Sequence, residues 1–205
     1  MLCTYMLLLP ALLPATACHQ RNPSGGSDPA SSDSTIKQGD SAQVAFLPVA
    51  EYLRSEISHV DSTPLAIVKY IIQGNRTDSS FITPAQFDQS AREFLVPELE
   101  AASLEKNYAE SSFQDETTGY LTFSYSPRDR DKGLPLQRID VLTSPDKGSN
   151  KVRSVYLETV TRAGDTLVTK KMYWKAGHSF LVITAAQPPK KDPVVRQSKV
   201  VWDAE

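Results

Sequence analysis

The chain predicts an α+β domain in which N-terminal helices pack on one side of a curved antiparallel β-meander. Three features of the sequence point there. Apolar residues recur at helical spacing from Val49, a capping box opens a second helix at Thr83, and from Gly119 onward β-branched and aromatic runs alternate with short turn-forming clusters.

Val49, Leu53, Ile57 and Val60 define the first helix, Pro48 suits its first turn, and Glu51 and Glu56 are expected to face outward. Leu65 to Ile72 is β-branched and short. With the Gly74-Asn75 turn and Ser79 to Ile82 it predicts a β-hairpin, although Asp61-Ser62-Thr63-Pro64 could also cap a helix over 64–73. Thr83-Pro84-Ala85-Gln86 combines a capping box with proline at the first helical position, and Ile82 can staple onto Phe87 across it. The helix beyond puts Phe87, Ala91, Phe94 or Leu95, and Leu99 on one face, with Pro97 kinking it or ending its first segment. Leu104 to Ala109 adds a further helical turn before Phe113.

Strands are expected over Tyr120 to Tyr125, Gln137 to Leu142, Lys151 to Thr161, Thr166 to Lys175, Ser179 to Ala185 and Val194 to Trp202. Their separators, among them Pro145-Asp146-Lys147-Gly148, Ala163-Gly164-Asp165 and Ala176-Gly177-His178, are turn-formers too short for parallel crossovers, so neighbours should be antiparallel. The last strand alternates Val194, Arg196, Ser198, Val200 and Trp202, with Val195 and Val201 giving its other face apolar contacts too. This order of elements resembles cystatin-like and NTF2-like cone folds and the half-barrel of lipoprotein carrier proteins, a likeness of topology rather than of motif.

The N-terminus carries the clearest functional signal. A short apolar run, Leu7 to Leu13, leads into Ala15-Thr16-Ala17-Cys18, an export signal with an Ala-x-Ala cleavage site that leaves Cys18 first. Residues 1–17 are thus read as signal peptide, 18–42 as an acylated cysteine with a flexible tether, and 43–205 as one domain. Leu13 to Cys18 resembles the lipobox of bacterial lipoproteins, with Ala15 where leucine is usual and no Lys or Arg before the apolar run. The resemblance implies that Cys18 is diacylated and holds the protein to a membrane. Cysteine use agrees, because Cys3 leaves with the signal and Cys18 is then the only thiol, with no partner for an internal disulfide. Pro10 and Pro14 interrupt a run far short of the ~20 apolar residues of a membrane span. The tether is rich in Ser, Gly, Asp and Pro, buries too little to order itself, and reaches on the order of 25 to 30 Å.

Composition is near neutral, with 22 basic and 24 acidic side chains, and favours neither nucleic acid nor a second, polybasic membrane contact. Asp33-Ser34-Thr35, Asp40-Ser41-Ala42, Asp61-Ser62-Thr63 and Asp165-Thr166-Leu167 resemble the acceptor pattern of general O-glycosylation in Bacteroidota, which makes Ser34, Ser41, Ser62 and Thr166 candidate acceptors. Taken with the lipobox, the chain resembles small envelope lipoproteins of that phylum. The absence of acidic residues from His19 to Gly26 favours an outer-membrane position facing the periplasm.

The search for catalytic chemistry is mostly negative. Only His59 and His178 lie in the expected domain, with no cysteine, so neither a metal site nor a cofactor is expected. Gly177-His178-Ser179-Phe180 lacks the spacing of a hydrolase nucleophile turn. Asp129-Arg130-Asp131-Lys132-Gly133, with Asp140 eleven residues on, begins like a calcium loop, but Leu134 and Pro135 do not continue it. Glu110, Asp115 and Glu116 could supply a carboxylate pair by type alone.

Three functions fit these features. The first is a non-catalytic envelope module that binds another envelope protein or a polymer. The second is a carrier or sensor of an apolar ligand between sheet and helices, to which Tyr156, Tyr173, Trp174, Phe180 and Trp202 would contribute. The third is a carboxylate-dependent hydrolase. Detergent-phase partitioning and intact-mass measurement of native protein test the anchor: a detergent-phase species with acylated Cys18 at its N-terminus is expected, and a water-soluble one with a free thiol there would overturn it.

Overall fold

The computed structural model describes residues 46–63, 66–146 and 149–203. Cys18, Ser34 and Ser41 lie outside the described residues. Helix α1 spans Val49–Ser62, and β1 (Ile67–Gln73) and β2 (Arg76–Ile82) follow. Then come α2 (Pro84–Ala91), two 3-10 turns at Arg92–Phe94 and Pro97–Leu99, and α3 (Ala101–Asn107). The strands β3 (Tyr108–Gln114), β4 (Leu121–Pro127), β5 (Leu136–Asp146), β6 (Ser149–Ala163), β7 (Thr166–Lys175), β8 (Ser179–Gln187) and β9 (Val194–Val201) complete the chain. Among the described residues nine strands form one sheet in the order β2-β1-β9-β8-β7-β6-β5-β4-β3, antiparallel throughout. The α+β class with a curved, unclosed meander is as expected.

Local signals set the helical starts. Pro48 stands immediately before α1, whose Val49, Leu53, Ile57 and Val60 are all buried together with Ala50. At α2 the Thr83 hydroxyl accepts from the Gln86 amide while the Gln86 side chain accepts from the Thr83 amide, so both halves of the capping box form. Phe87, Ala91, Phe94 and Leu99 are buried, and Ile82 packs against the same core.

One face of the sheet receives these helices. Trp174 of β7, Phe180 of β8 and Trp202 just beyond β9 meet Phe87 and Phe94 from the helical layer. Phe87 lies 5.1 Å from Trp202 and Phe94 5.2 Å from Trp174 between ring centroids, both edge-on. Edge-to-face contacts of this kind contribute about 0.5 to 1.5 kcal/mol each beyond the area they bury. Tyr173 and Tyr156 face each other across β7 and β6 on the opposite side of the sheet, so the late aromatics divide between two faces. The rings on the helical side fill the space between the layers.

Three local expectations change, at the helix after Thr83, at Leu104 to Ala109 and at the start of the last strand, while the expected β1–β2 hairpin forms. The helix at Thr83 ends at Ala91, earlier than Pro97, because Val96 must be extended to precede a proline and the chain descends through 3-10 turns instead. Leu104 to Ala109 is not continuously helical: α3 stops at Asn107 and Tyr108 is extended. Tyr108 is fully buried and donates its hydroxyl to the Leu136 carbonyl at 3.0 Å, and from there the chain pairs with β4 as an edge strand. The hairpin of β1 and β2 adds to the C-terminal strand, with Val68 opposite Val201, which extends the meander on its other side. Val194 and Val195 are exposed at the far end of β9, beyond the cover of the helices.

Phe87 is wholly buried at the centre of the helix-to-sheet contact. Phe87→Ala is expected to lower the unfolding free energy by about 3 to 5 kcal/mol in urea denaturation, and a loss below about 1 kcal/mol would show that the ring does not carry the interface.

Candidate functional site

The polar residues singled out by sequence scatter over the domain. Ser62 ends α1, exposed, with its hydroxyl donating to the His59 carbonyl. Thr166 opens β7 opposite Ala163 in a tight hairpin, half-buried. Glu110 pairs with Tyr125 within the sheet. Asp115 lies past the end of β3, where its carboxylate accepts from the Thr117 and Thr118 amides, which hold its pKa below the usual carboxylate range. Five residues of extended chain separate Glu110 from Asp115 by about 15 Å, beyond the ~5 to 9.5 Å of a glycosidase pair. Glu116 is exposed in the same turn. Asp129 caps the 3-10 turn Arg130–Lys132 by accepting from the Asp131 amide, and Gly133 closes it at φ 60°. Asp140 is committed on β5, accepting from Ser124 at 2.7 Å and from Arg138 at 2.7 Å. Among the described residues no three His, Cys, Asp or Glu side chains stand where they could share a cation.

The two domain histidines, far apart in the chain, do come together. The β5–β6 hairpin runs past the end of β7, since β7 begins pairing only at Ser154 opposite Lys175 while Lys151 and Val152 pair with β5 alone. The β7–β8 turn therefore stops short, and the C-terminal half of α1 crosses above it. A notch of about 630 Å³ opens between them, lined by Tyr52, Glu56 and His59 of α1, Lys151 and Arg153 of β6, and Lys175 and His178 at the turn.

Glu56 fixes one wall. Its Oε2 accepts from the Gly177 amide at 2.8 Å and from the Trp174 indole at 3.3 Å, so the side chain expected to face solvent instead joins α1 to the β7–β8 turn. Gly177 adopts φ 70°, which glycine tolerates without a Cβ penalty, and its amide is thereby aimed at the carboxylate. His178 is held by its backbone: its amide donates to the Lys175 carbonyl, and its carbonyl accepts from the Trp202 and Asp203 amides. The imidazole Nδ1 is buried without a hydrogen-bond partner, 3.8 Å from the Asp203 carboxylate, too long for a hydrogen bond.

A β-bulge places the most conspicuous cation. Leu142 faces Ser154 but Thr143 faces Val152, so Arg153 is the extra residue on β6. Bulges re-aim side chains. Here the Arg153 Nε donates to the Ser144 hydroxyl at 2.8 Å and its carbonyl accepts from the Ala176 amide, which ties the bulge to the β7–β8 turn.

Tyr52 forms the floor. Its hydroxyl is buried with no hydrogen-bond partner, and burial first, then the Glu56 carboxylate one turn along α1, push its pKa well above that of a free phenol. The carboxylate is near enough for its charge to act on the phenol. The site thus offers lysine and arginine cations, a phenol donor held protonated and two histidines, while its nearest carboxylate is spent on the scaffold. Such a set suits recognition of an anionic or polar group.

The local signal for this site was faint: Tyr52, Glu56 and His59 lie at i, i+4 and i+7 of one helix, beside the apolar stripe. Glu56→Ala leaves the Gly177 amide and the Trp174 indole without their acceptor. A loss of about 1 to 3 kcal/mol in urea denaturation is expected, with a smaller loss for Glu56→Gln, which keeps an acceptor oxygen.

Comparison of the chain with protein-family models, with curated proteins and with solved structures finds no match to any of them.

Proposed function

We propose that this is a non-catalytic binding module of a bacterial cell envelope, anchored through acylated Cys18 to the outer membrane and facing the periplasm, with the notch below α1 as its binding site. The observation that carries this reading is the commitment of Glu56: the carboxylate best placed for acid–base work accepts from Gly177 and Trp174, while Lys151, Arg153, Lys175 and the Tyr52 hydroxyl line the space in front of it. A general acid or base must reach the proton that it moves, and a carboxylate engaged by two scaffold donors is poorly placed to do so. Among the described residues no helix is long and apolar enough to cross a membrane, and the anchor is assigned to the N-terminal lipid alone.

The test is a combined binding and turnover screen of the full chain against peptidoglycan fragments, glycans and esters. Binding without turnover is expected, weakened by Arg153→Ala and Lys175→Ala with the fold intact by circular dichroism. Turnover abolished by His178→Ala, or by alanine at Glu110, Asp115, Glu116, Asp129 or Asp131, with stability unchanged, would replace this reading with a hydrolase.

A further inference from the structure

The notch does not end at Tyr52. On the other side of that ring an apolar cleft of about 200 Å³ runs under the start of α1, walled by Leu47, Pro48 and Val49 and by Val141, Val152 and Val155 of the sheet. Tyr52 and Val152 line both spaces. The cleft and the notch therefore adjoin at one residue pair. Tyr52 suits the junction: its ring can face an apolar group while its buried, unpartnered hydroxyl needs a polar one. Water gains little in such a cleft, because it needs two or more polar partners and the walls consist of aliphatic side chains.

We propose, on the footing that the notch is a binding site, that its ligand is a single-chain amphiphile with an anionic head: the head lies among Arg153, Lys151 and Lys175, and the chain enters the cleft beneath Leu47 and Val49. Charge complementarity selects the sign of the head. Three cations, Lys151, Arg153 and Lys175, line the notch against two carboxylates, of which Glu56 is turned to the Gly177 and Trp174 donors and Asp203 stands 3.8 Å from His178, so the field at the mouth is positive. Size selects the tail. At roughly 30 Å³ for a methylene, about that of a water molecule, the cleft admits the last six or seven carbons of one chain, the carbons nearer the head lying beside Tyr52, and excludes a two-chain lipid. The Tyr52 hydroxyl donates to the head at the boundary and gains the partner that it lacks.

The test titrates the full chain carrying Cys18→Ser, which needs no detergent, with decanoate, butyrate and decyl maltoside, following the Gly177 and Val152 amides by NMR. Decanoate is expected to bind about a hundred-fold more tightly than butyrate, which shares the head but not the tail. Decyl maltoside, with the tail but no charge, should bind at least about ten-fold more weakly than decanoate. Arg153→Ala should weaken decanoate by about ten-fold, and Leu47→Phe, which fills the cleft from a position that does not line the notch, should weaken decanoate and leave butyrate unchanged. Val141→Phe fills the same cleft from the sheet wall and replaces Leu47→Phe if that variant does not fold. Equal binding of decanoate and butyrate would overturn the amphiphile and leave the notch as a polar-ligand site. Equal binding of decanoate and decyl maltoside would overturn the anionic head. Decanoate binding indifferent to all three variants would place the ligand elsewhere and overturn the inference, and no shift at Gly177 with any probe, peptidoglycan and glycan fragments included, would overturn the notch reading with it.

Discussion

Phe87 and Phe94 seat the helical layer on Trp174, Phe180 and Trp202, and the position of nearly every other element follows from that contact. The three sheet rings come from the C-terminal end of β7, the start of β8 and the residue after β9, so they cluster at one end of the meander. Helix α2 and the turn after it are placed there by a capping box, which sets the direction of the chain as it leaves β2. Stacking of Trp174 on Phe180 closes the group from within the sheet. Close-packed rings of this kind tolerate little shift, which fixes the end of the sheet beneath α1.

Trp174 carries that rigidity outward. Its ring belongs to the core, yet its indole nitrogen donates to Glu56, whose same oxygen receives the Gly177 amide. One carboxylate thus links α1, the aromatic cluster and the β7–β8 turn. His178 follows Gly177 and is pinned from the far side by the Trp202 and Asp203 amides, so the turn that borders the notch is held at both ends. A binding site on such supports keeps its cations and hydroxyls in place before a ligand arrives, which lowers the ordering cost of association.

Among the described residues no helix covers the opposite face of the sheet. Across its middle runs the row Tyr70, Lys199, Leu181, Tyr173 and Tyr156, mixed in character, with Tyr173 44% exposed. The edges are also open. Phe81 on β2 and Phe113 on β3 stand 79% and 70% exposed in one cross-strand row at the two margins of the sheet. Both edge strands are otherwise rich in Ser, Thr and acidic residues, a composition that offers little apolar surface for pairing with another chain.

What the sequence determined by itself was the part governed by near neighbours. The apolar stripe of α1, the capping box at Thr83, the Gly74-Asn75 turn and the two hairpin turns at Ala163-Gly164-Asp165 and Ala176-Gly177-His178 depend on residues within a few positions of one another, and they appear where the residues call for them. Tertiary structure decided the rest. Tyr108 became strand because its ring found the core and its backbone found β4, and the β1–β2 hairpin joined the sheet through pairing with a strand about 130 residues later in sequence. Glu56 reads as a solvent-facing position on a helical wheel, but its partner lies 121 residues away at a turn whose positive φ favours glycine. The notch has the same origin. His59, Arg153 and His178 converge because one hairpin outruns its neighbour and a bulge adds a residue, and both are properties of register between strands, which no stretch of sequence records on its own.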